Sequence, residues 1–300
     1  MPDSVVTLIT DPARPALDGA LLDRARAVLP NADAPRWLAP GIAADVAFAA
    51  DARDTRALAA ELRAALDGAP LDIALQPGAG RRKRLLVADM ESTIIGQECL
   101  DELAEAVGLR AHIAAITERA MRGEIDFEPA LRERVGLLKD LPREALQRVM
   151  DERVRPNPGA RTLVRTMRAH GAFTALVSGG FTFFTEQVAR ALGFDSHQAN
   201  TLVFDRDRLA GTVHEPILGR EAKLAALERL ARDLGISLSE SLAVGDGAND
   251  LAMLRRAGLG VAYHAKPKVA AEAAVRIDHG DLTALLYLQG YAREEFAEMP

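Results

Sequence analysis

The first 80 residues change hydrophobic period at short intervals. SVVTLIT at 4–10 is a short apolar run of the kind that forms a strand, and LDGALLDRARAVL at 17–29 carries its apolar residues at helical spacing. RWLAPGIAADVAFAA at 36–50 places Pro40-Gly41 between two apolar stretches, which predicts a turn between two strands. TRALAAELRAAL at 55–66 then predicts a helix and LDIALQP at 71–77 a strand. The order β-α-β-β-α-β predicts a small α+β sandwich of the split βαβ kind over 1–80.

PGAGRRKR at 77–84 mixes turn formers with charge, so the domain boundary is expected there, with a second domain over 84–300. Beyond it, RLLVAD, AFTALVSGG, SLAVGDG and LGVAYHA alternate with helical patterns, which predicts an α/β fold with a parallel, Rossmann-like sheet. The alternation breaks at about 98–152, where four helical patterns follow one another with no strand between, and a helical cap insertion is expected there. A hairpin is predicted in 199–214, turning at Asp205–Arg208.

Composition adds exclusions. With 49% apolar and 27% charged residues, the 300-residue chain is an ordinary globular sequence, and its net charge of −6 argues against a nucleic-acid binder, which needs a basic face. The basic run Arg81 to Arg84 is local and reads as a solvated linker. Cys99 is the only cysteine, so no intrachain disulfide forms. The start MPDSVVTLIT lacks the basic flank of a secretory signal, and no apolar run approaches the length of a membrane span; a cytoplasmic protein is expected, with no membrane partner.

Candidate chemistry gathers at predicted strand ends, the side of an open parallel sheet where ligands bind. Asp89 and Glu91 follow RLLVA, Ser178 and Gly179 end the next strand, and Asp246, Asn249 and Asp250 follow SLAVG. Residues i and i+2 of an extended chain share a side, so Asp89 and Glu91 can converge. Asp89 and Asp246 offer hard oxygen ligands that suit Mg²⁺. A carboxylate can itself be the nucleophile in aspartyl-phosphate chemistry, and the Ser178-Gly179-Gly180 turn can present a hydroxyl and open N–H groups to an anion. Lys223, near the start of a predicted helix, is the candidate cation for phosphate charge.

DMEST, SGG, REAK and GDGAND, in this order, resemble the four motifs of the haloacid dehalogenase-like phosphatases, and the cap segments GQECLDELAE and MRGEIDFEPALRERVGLLKDLP are similar to those of its phosphoserine phosphatases. The first 80 residues loosely resemble the ACT-like, amino-acid-binding domain of some bacterial members. The resemblance implies Mg²⁺-dependent hydrolysis of phosphoserine, the last step of serine biosynthesis. It implies that Asp89 attacks phosphorus, that Glu91 is the acid/base, and that Asp89, the Glu91 carbonyl and Asp246 hold Mg²⁺. It further implies that Ser178, Gly179, Lys223 and Asn249 bind phosphate, while Glu98 meets the substrate ammonium and Arg134 its carboxylate. Met121 and Phe127 would line the cap, with Thr93 and Asp250 in support. The small domains of related proteins often pair between subunits, so a homodimer is an expectation. The family usually has aspartate where this chain has Glu91. The reference acidities are close, so the difference is one of reach, about 1.5 Å.

Other readings of the same residues stay open. A phosphatase or phosphotransferase for another small phosphorylated amino acid, such as phosphohomoserine, would share the catalytic set, and a non-catalytic relative would bind phosphoserine without releasing phosphate. GDGAND departs from a dinucleotide fingerprint, because Asp250 stands where the third glycine belongs. Cys99 reads as a small buried residue, the histidines lack zinc-ligand spacing, and Trp37 reads as core.

Overall fold

The structure, a computed structural model, describes residues 3–49, 55–121, 124–219 and 221–297. Strand β1 (Ser4–Thr10) reads as an apolar run because it is covered on both faces. Its Val6 and Leu8 pack with residues of α1 (Gly19–Val28) and α2 (Thr55–Ala65), while Ile9 joins the cluster on the opposite face. Asp18 caps α1 by accepting the Leu21 N–H at 2.8 Å, satisfying a donor that the helix itself leaves free. Strands β2 (Arg36–Ala39) and β3 (Ala43–Phe48) flank the Pro40-Gly41 turn, where Gly41 takes φ +74°. With β4 (Leu71–Pro77) they form an antiparallel sheet in the order β2-β3-β1-β4.

The second sheet is built from β5 (Leu85–Ala88), β6 (Phe173–Phe181), β7 (Ser196–Asn200), β10 (Ser241–Gly245), β11 (Leu259–Tyr263) and β12 (Val275–Ile277). Its order is β12-β11-β10-β5-β6-β7, with every pair parallel. Side chains of β5 go alternately to two clusters. Leu86 and Ala88 pack with α7 (Ala160–Ala169), α8 (Thr182–Leu192) and α12 (Ala284–Leu288), whereas Leu85 and Val87 pack with α9 (Ala222–Asp233), α10 (Leu251–Arg256) and α11 (Pro267–Glu272). Edge strands β7 and β12 add to the four strands that the pattern predicts. SHQAN is too polar and VRI too short to show a period.

Between β5 and α7 lie four helices, α3 (Cys99–Ala106), α4 (Arg110–Met121), α5 (Phe127–Gly136) and α6 (Arg143–Glu152). The hairpin β8 (Leu202–Asp205) and β9 (Arg208–Val213) turns at Arg206-Asp207 and packs on α5, with Pro142 bridged to Arg208. Two chain crossings join these helices to the sheet, and they are stitched together: Ile95 bridges Pro156, Gly96 N–H donates to Arg155 O at 3.2 Å, and Asn157 Nδ2 donates to Thr93 O at 2.7 Å. Among the described residues no helix is long and apolar enough to cross a membrane.

Within the basic stretch at 81–84, Arg82 and Arg84 are exposed as a solvated linker would be, but Arg81 corrects that expectation. Arg81 is only 11% exposed; its guanidinium contacts Asp45 at 2.6 and 3.0 Å, Thr7 Oγ1 at 3.0 Å, and the carbonyls of Tyr287 and Leu288 at 3.0 Å each. A guanidinium taken out of water needs its donors satisfied, and both sheets' neighbourhoods supply the acceptors. Arg82 lies over the Tyr291 ring at 4.1 Å and Lys83 Nζ donates to Ser239 O at 2.8 Å. Nearby, buried Asp72 of β4 accepts N–H groups from Asp278 and Gly280 at 2.7 and 2.8 Å. Trp37 is 40% exposed on the outer strand β2 rather than in the core, because that strand has a neighbour on one side only. Cys99 is buried, as expected.

Candidate active site

Three adjacent strands deliver the candidate residues. Ala88 of β5 lies level with Val244 of β10 and Leu176 of β6, so Asp89, Asp246 and Ser178 stand within two residues of one level, the acids just past their strands and Ser178 still inside β6. β5 ends at Ala88, so Asp89 and Glu91 converge in a turn beyond the strand. In it the Ile95 N–H reaches Met90 O at 2.9 Å, Glu91 keeps an extended backbone, and Ser92 takes φ +54°.

Lys223, on the first turn of α9, is 3% exposed and joins two carboxylates: Nζ is 2.8 Å from Asp89 Oδ1 and 2.5 Å from Asp250 Oδ1. Asp89 Oδ1 also accepts the Met90 N–H at 2.8 Å, and neither contact uses Oδ2. Asp250 Oδ2 accepts the Gly247 N–H at 2.9 Å, while Thr93 Oγ1 donates to Asp246 Oδ1 at 3.3 Å. Burial and the Asp250 charge push Asp89 well above the usual carboxylate range, against the pull of Lys223. Burial alone would lower Lys223, but Asp89 and Asp250 outweigh it and hold the ammonium charged. Asp246 is raised by burial, with Lys266, 3.7 Å away, opposing.

Asp89, Asp246 and Asp250 place carboxylate oxygens within 4.8 Å of one another, all buried. One ammonium among three carboxylates leaves negative charge that a divalent cation would offset, and the donors are the hard oxygens such a cation prefers. Asp250 is already engaged by Lys223 and Gly247, so Asp89 and Asp246 are the available pair. These residues fit a divalent metal.

A cavity of about 490 Å³ opens in front of this cluster. Asp89, Glu91, Gly179, Asp246 and Asn249 line its sheet side, and Glu98, Phe127 and Arg134 its helical side. Ser178, Thr93, Lys223 and Asp250 stand behind this lining; Ser178 Oγ accepts the Gly180 N–H at 2.9 Å. Met121 ends α4, and its side chain lies outside the described residues. Arg134 is not an ordinary exposed helix charge: it is half-buried, its Nε donates to Ala130 O at 3.2 Å, and no carboxylate pairs with it among the described residues. Glu98 Oε1 accepts Ser92 Oγ at 2.7 Å. Glu91 Oε1 accepts the Cys99 N–H at 2.8 Å, and burial, with the Glu98 charge adding, raises the Glu91 carboxyl to about 7.

Lys266, Asp101 and Thr117 are among the lining residues that escape the sequence reading. Lys266 follows the end of β11 and could have been found by the same strand-end rule. Gly180, read with Ser178 and Gly179 as part of the anion-presenting turn, lines the cavity too. Asp101 and Thr117 sit on helices where no local pattern marks them, although Thr117 Oγ1 lies 3.4 Å from Arg134 Nη1.

A parallel sheet with an acidic nucleophile candidate after its first strand, a lysine on a following helix and paired acids after a later strand defines a class of hydrolase. The profile of the haloacid dehalogenase-like hydrolases matches residues 86–255, and the chain belongs to that family. It is 40% identical to a phosphoserine phosphatase of Streptomyces coelicolor over 294 residues, 97% of this chain and 72% of that one. A haloacid dehalogenase family hydrolase from Salmonella enterica serovar Typhi superposes with a TM-score of 0.84 at 30% identity, over 95% of this chain and 97% of that one. The structure of a phospho-aspartyl intermediate analogue of phosphoserine phosphatase, 38% identical, gives a TM-score of 0.63 over 69% of this chain and 98% of that one.

Proposed function

We propose that the protein hydrolyses O-phospho-L-serine to L-serine and inorganic phosphate, as the closing step of serine formation. The observation that carries this reading is the charge layout of the cavity. Glu98 and Arg134, which no carboxylate pairs with among the described residues, match an ammonium and a carboxylate on the helical wall, while Asp89, Lys223 and Asp246 opposite match a phosphate and its counter-charge.

In this reading an Asp89 oxygen attacks phosphorus and the bond from phosphorus to the serine oxygen breaks. Glu91, half protonated near neutrality, gives that oxygen its proton. Water then attacks the aspartyl-phosphate, Glu91 takes the water's proton, and phosphate leaves with Asp89 restored. Lys223 holds Asp89 in place and favours its ionised form against the opposing burial. The Ser178 hydroxyl and the Gly179 and Asn249 groups bind phosphate oxygens, and Thr93 and Asp250 orient Asp246 and Lys223. Asp89, the Glu91 carbonyl and Asp246 would hold Mg²⁺, which when bound neutralises phosphate charge. Phe127 closes the cavity against bulk water. The reading includes a homodimer joined through the first sheet, whose outer strand exposes Trp37; sedimentation tests that part.

Phosphate release from L-phosphoserine with Mg²⁺, with EDTA and with Asp89→Asn is the test. Release that EDTA and the substitution both abolish supports the reading. Binding without release would make the protein a receptor for phosphoserine instead.

A further inference from the structure

We propose that Gly180 and the backbone amide of Cys99 form a niche shaped for glutamate at position 91, and that they position its carboxylate for proton transfer. The inference rests on the proposed role of Glu91.

The niche has two walls. At the first, Cys99 N–H, at the start of α3, donates to Glu91 Oε1 at 2.8 Å, which anchors the acid to the helical side of the cavity. At the second, Gly180 of β6 offers no side chain. A Cβ there would lie 2.7 Å from Glu91 Oε2, 3.1 Å from Cδ and 3.2 Å from Oε1, so the whole carboxylate occupies the space that any other residue would fill. Gly180 is not required by its own backbone, because its φ is not in the positive region. An alanine would therefore be accepted by the fold, and the flexible end of Glu91 would give way. The Ser178 contact to the Gly180 N–H is retained by any residue but proline.

An aspartate at 91 would end about one C–C bond short, roughly 1.5 Å, out of reach of the Cys99 amide and clear of position 180. The longer side chain is thus matched on both sides. A displacement approaching 1 Å at an acid/base group can cost about a hundredfold in rate, so the two walls have kinetic weight.

The experiment is a four-protein cycle on L-phosphoserine: unaltered protein, Gly180→Ala, Glu91→Asp, and the double variant. Gly180→Ala is expected to lower kcat tenfold or more with KM within threefold, and to lower it less than threefold when Asp already stands at 91. The Cys99 amide proton, read in ¹⁵N-labelled protein, is expected to move upfield in both single variants. Equal losses of kcat in the two backgrounds, or an unmoved Cys99 amide, would overturn the niche. Should the unaltered protein release no phosphate from phosphoserine, the proposed function fails, while the amide shift still decides whether Gly180 and Cys99 hold Glu91.

Discussion

Lys223 Nζ lies 2.8 Å from Asp89 Oδ1, with both side chains less than a tenth exposed. Its second partner, Asp250 at 2.5 Å, completes a buried triad in which a single cation serves two carboxylates. Removing one member of such a group leaves charge stranded away from water, which costs about 3–5 kcal/mol. Lys223→Met is expected to lower the stability of the metal-free protein by about 3 kcal/mol, read by urea denaturation. Asp89 already sits above the usual carboxylate range, and losing Lys223 raises it further. The loss should therefore be larger at pH 8, where the carboxylates must ionise, than at pH 5; a loss independent of pH contradicts the ion-pair account.

Glu91 is expected to impose opposite pH limbs on the two half-reactions. With its carboxyl raised from 4.5 to about 7, the protonated form needed to expel serine falls away above neutrality, and the ionised form needed to activate water falls away below it. Rapid-quench measurement of the aspartyl-phosphate should show formation slowing above about pH 7 and breakdown slowing below it. Glu91→Gln should remove both limbs. It should also melt higher than the unaltered protein at pH 8, with the gap closing towards pH 4.5. A folded-state pKa raised above its unfolded value makes stability fall as pH climbs between the two.

Arg134 faces the cavity without a carboxylate partner among the described residues, so a substrate carboxylate is the partner it lacks. Arg134→Ala should reduce kcat/KM for phosphoserine by about 2 kcal/mol, roughly thirtyfold, the value of a charge-assisted pair. Phosphoethanolamine, which has the ammonium but no carboxylate, should be affected less than about threefold. Equal losses on the two substrates would place Arg134 in the scaffold rather than in recognition.

Arg81 offers a stability test remote from the chemistry. Its contacts reach Asp45 and Thr7 in the first sheet and the Tyr287 and Leu288 carbonyls after the second. Arg81→Ala should strand the buried Asp45 carboxylate and lower stability by about 3 kcal/mol. It should leave kcat within about twofold, since Arg81 does not line the active-site cavity. A drop in kcat without loss of stability would instead tie the first sheet to turnover.

How much of this was legible depended on whether the signal was local. Apolar period and turn residues specify β1 to β4 with α1 and α2, the four core strands β5, β6, β10 and β11, and the four helices between β5 and α7. Side-chain period is a property of neighbours in sequence, and each of these elements buries apolar residues against a neighbour. β7 and β12 lie at the sheet edges, where a polar or three-residue strand carries no period of its own. The strand-end acids were legible for a related reason, since parallel strands all deliver their C-terminal residues to one side of the sheet.

The amino-acid sequence by itself determined the elements, the parallel core and the set of acids and the lysine that meet at its edge. Only the tertiary structure decided which oxygen of Asp89 Lys223 holds, that Arg134 faces a cavity instead of solvent, that Arg81 is buried in a junction, and that Gly180 leaves room for Glu91. Each of these is a contact between residues far apart in the chain, or the absence of one. Partner, burial and free space are set by how the elements pack, which no local pattern encodes.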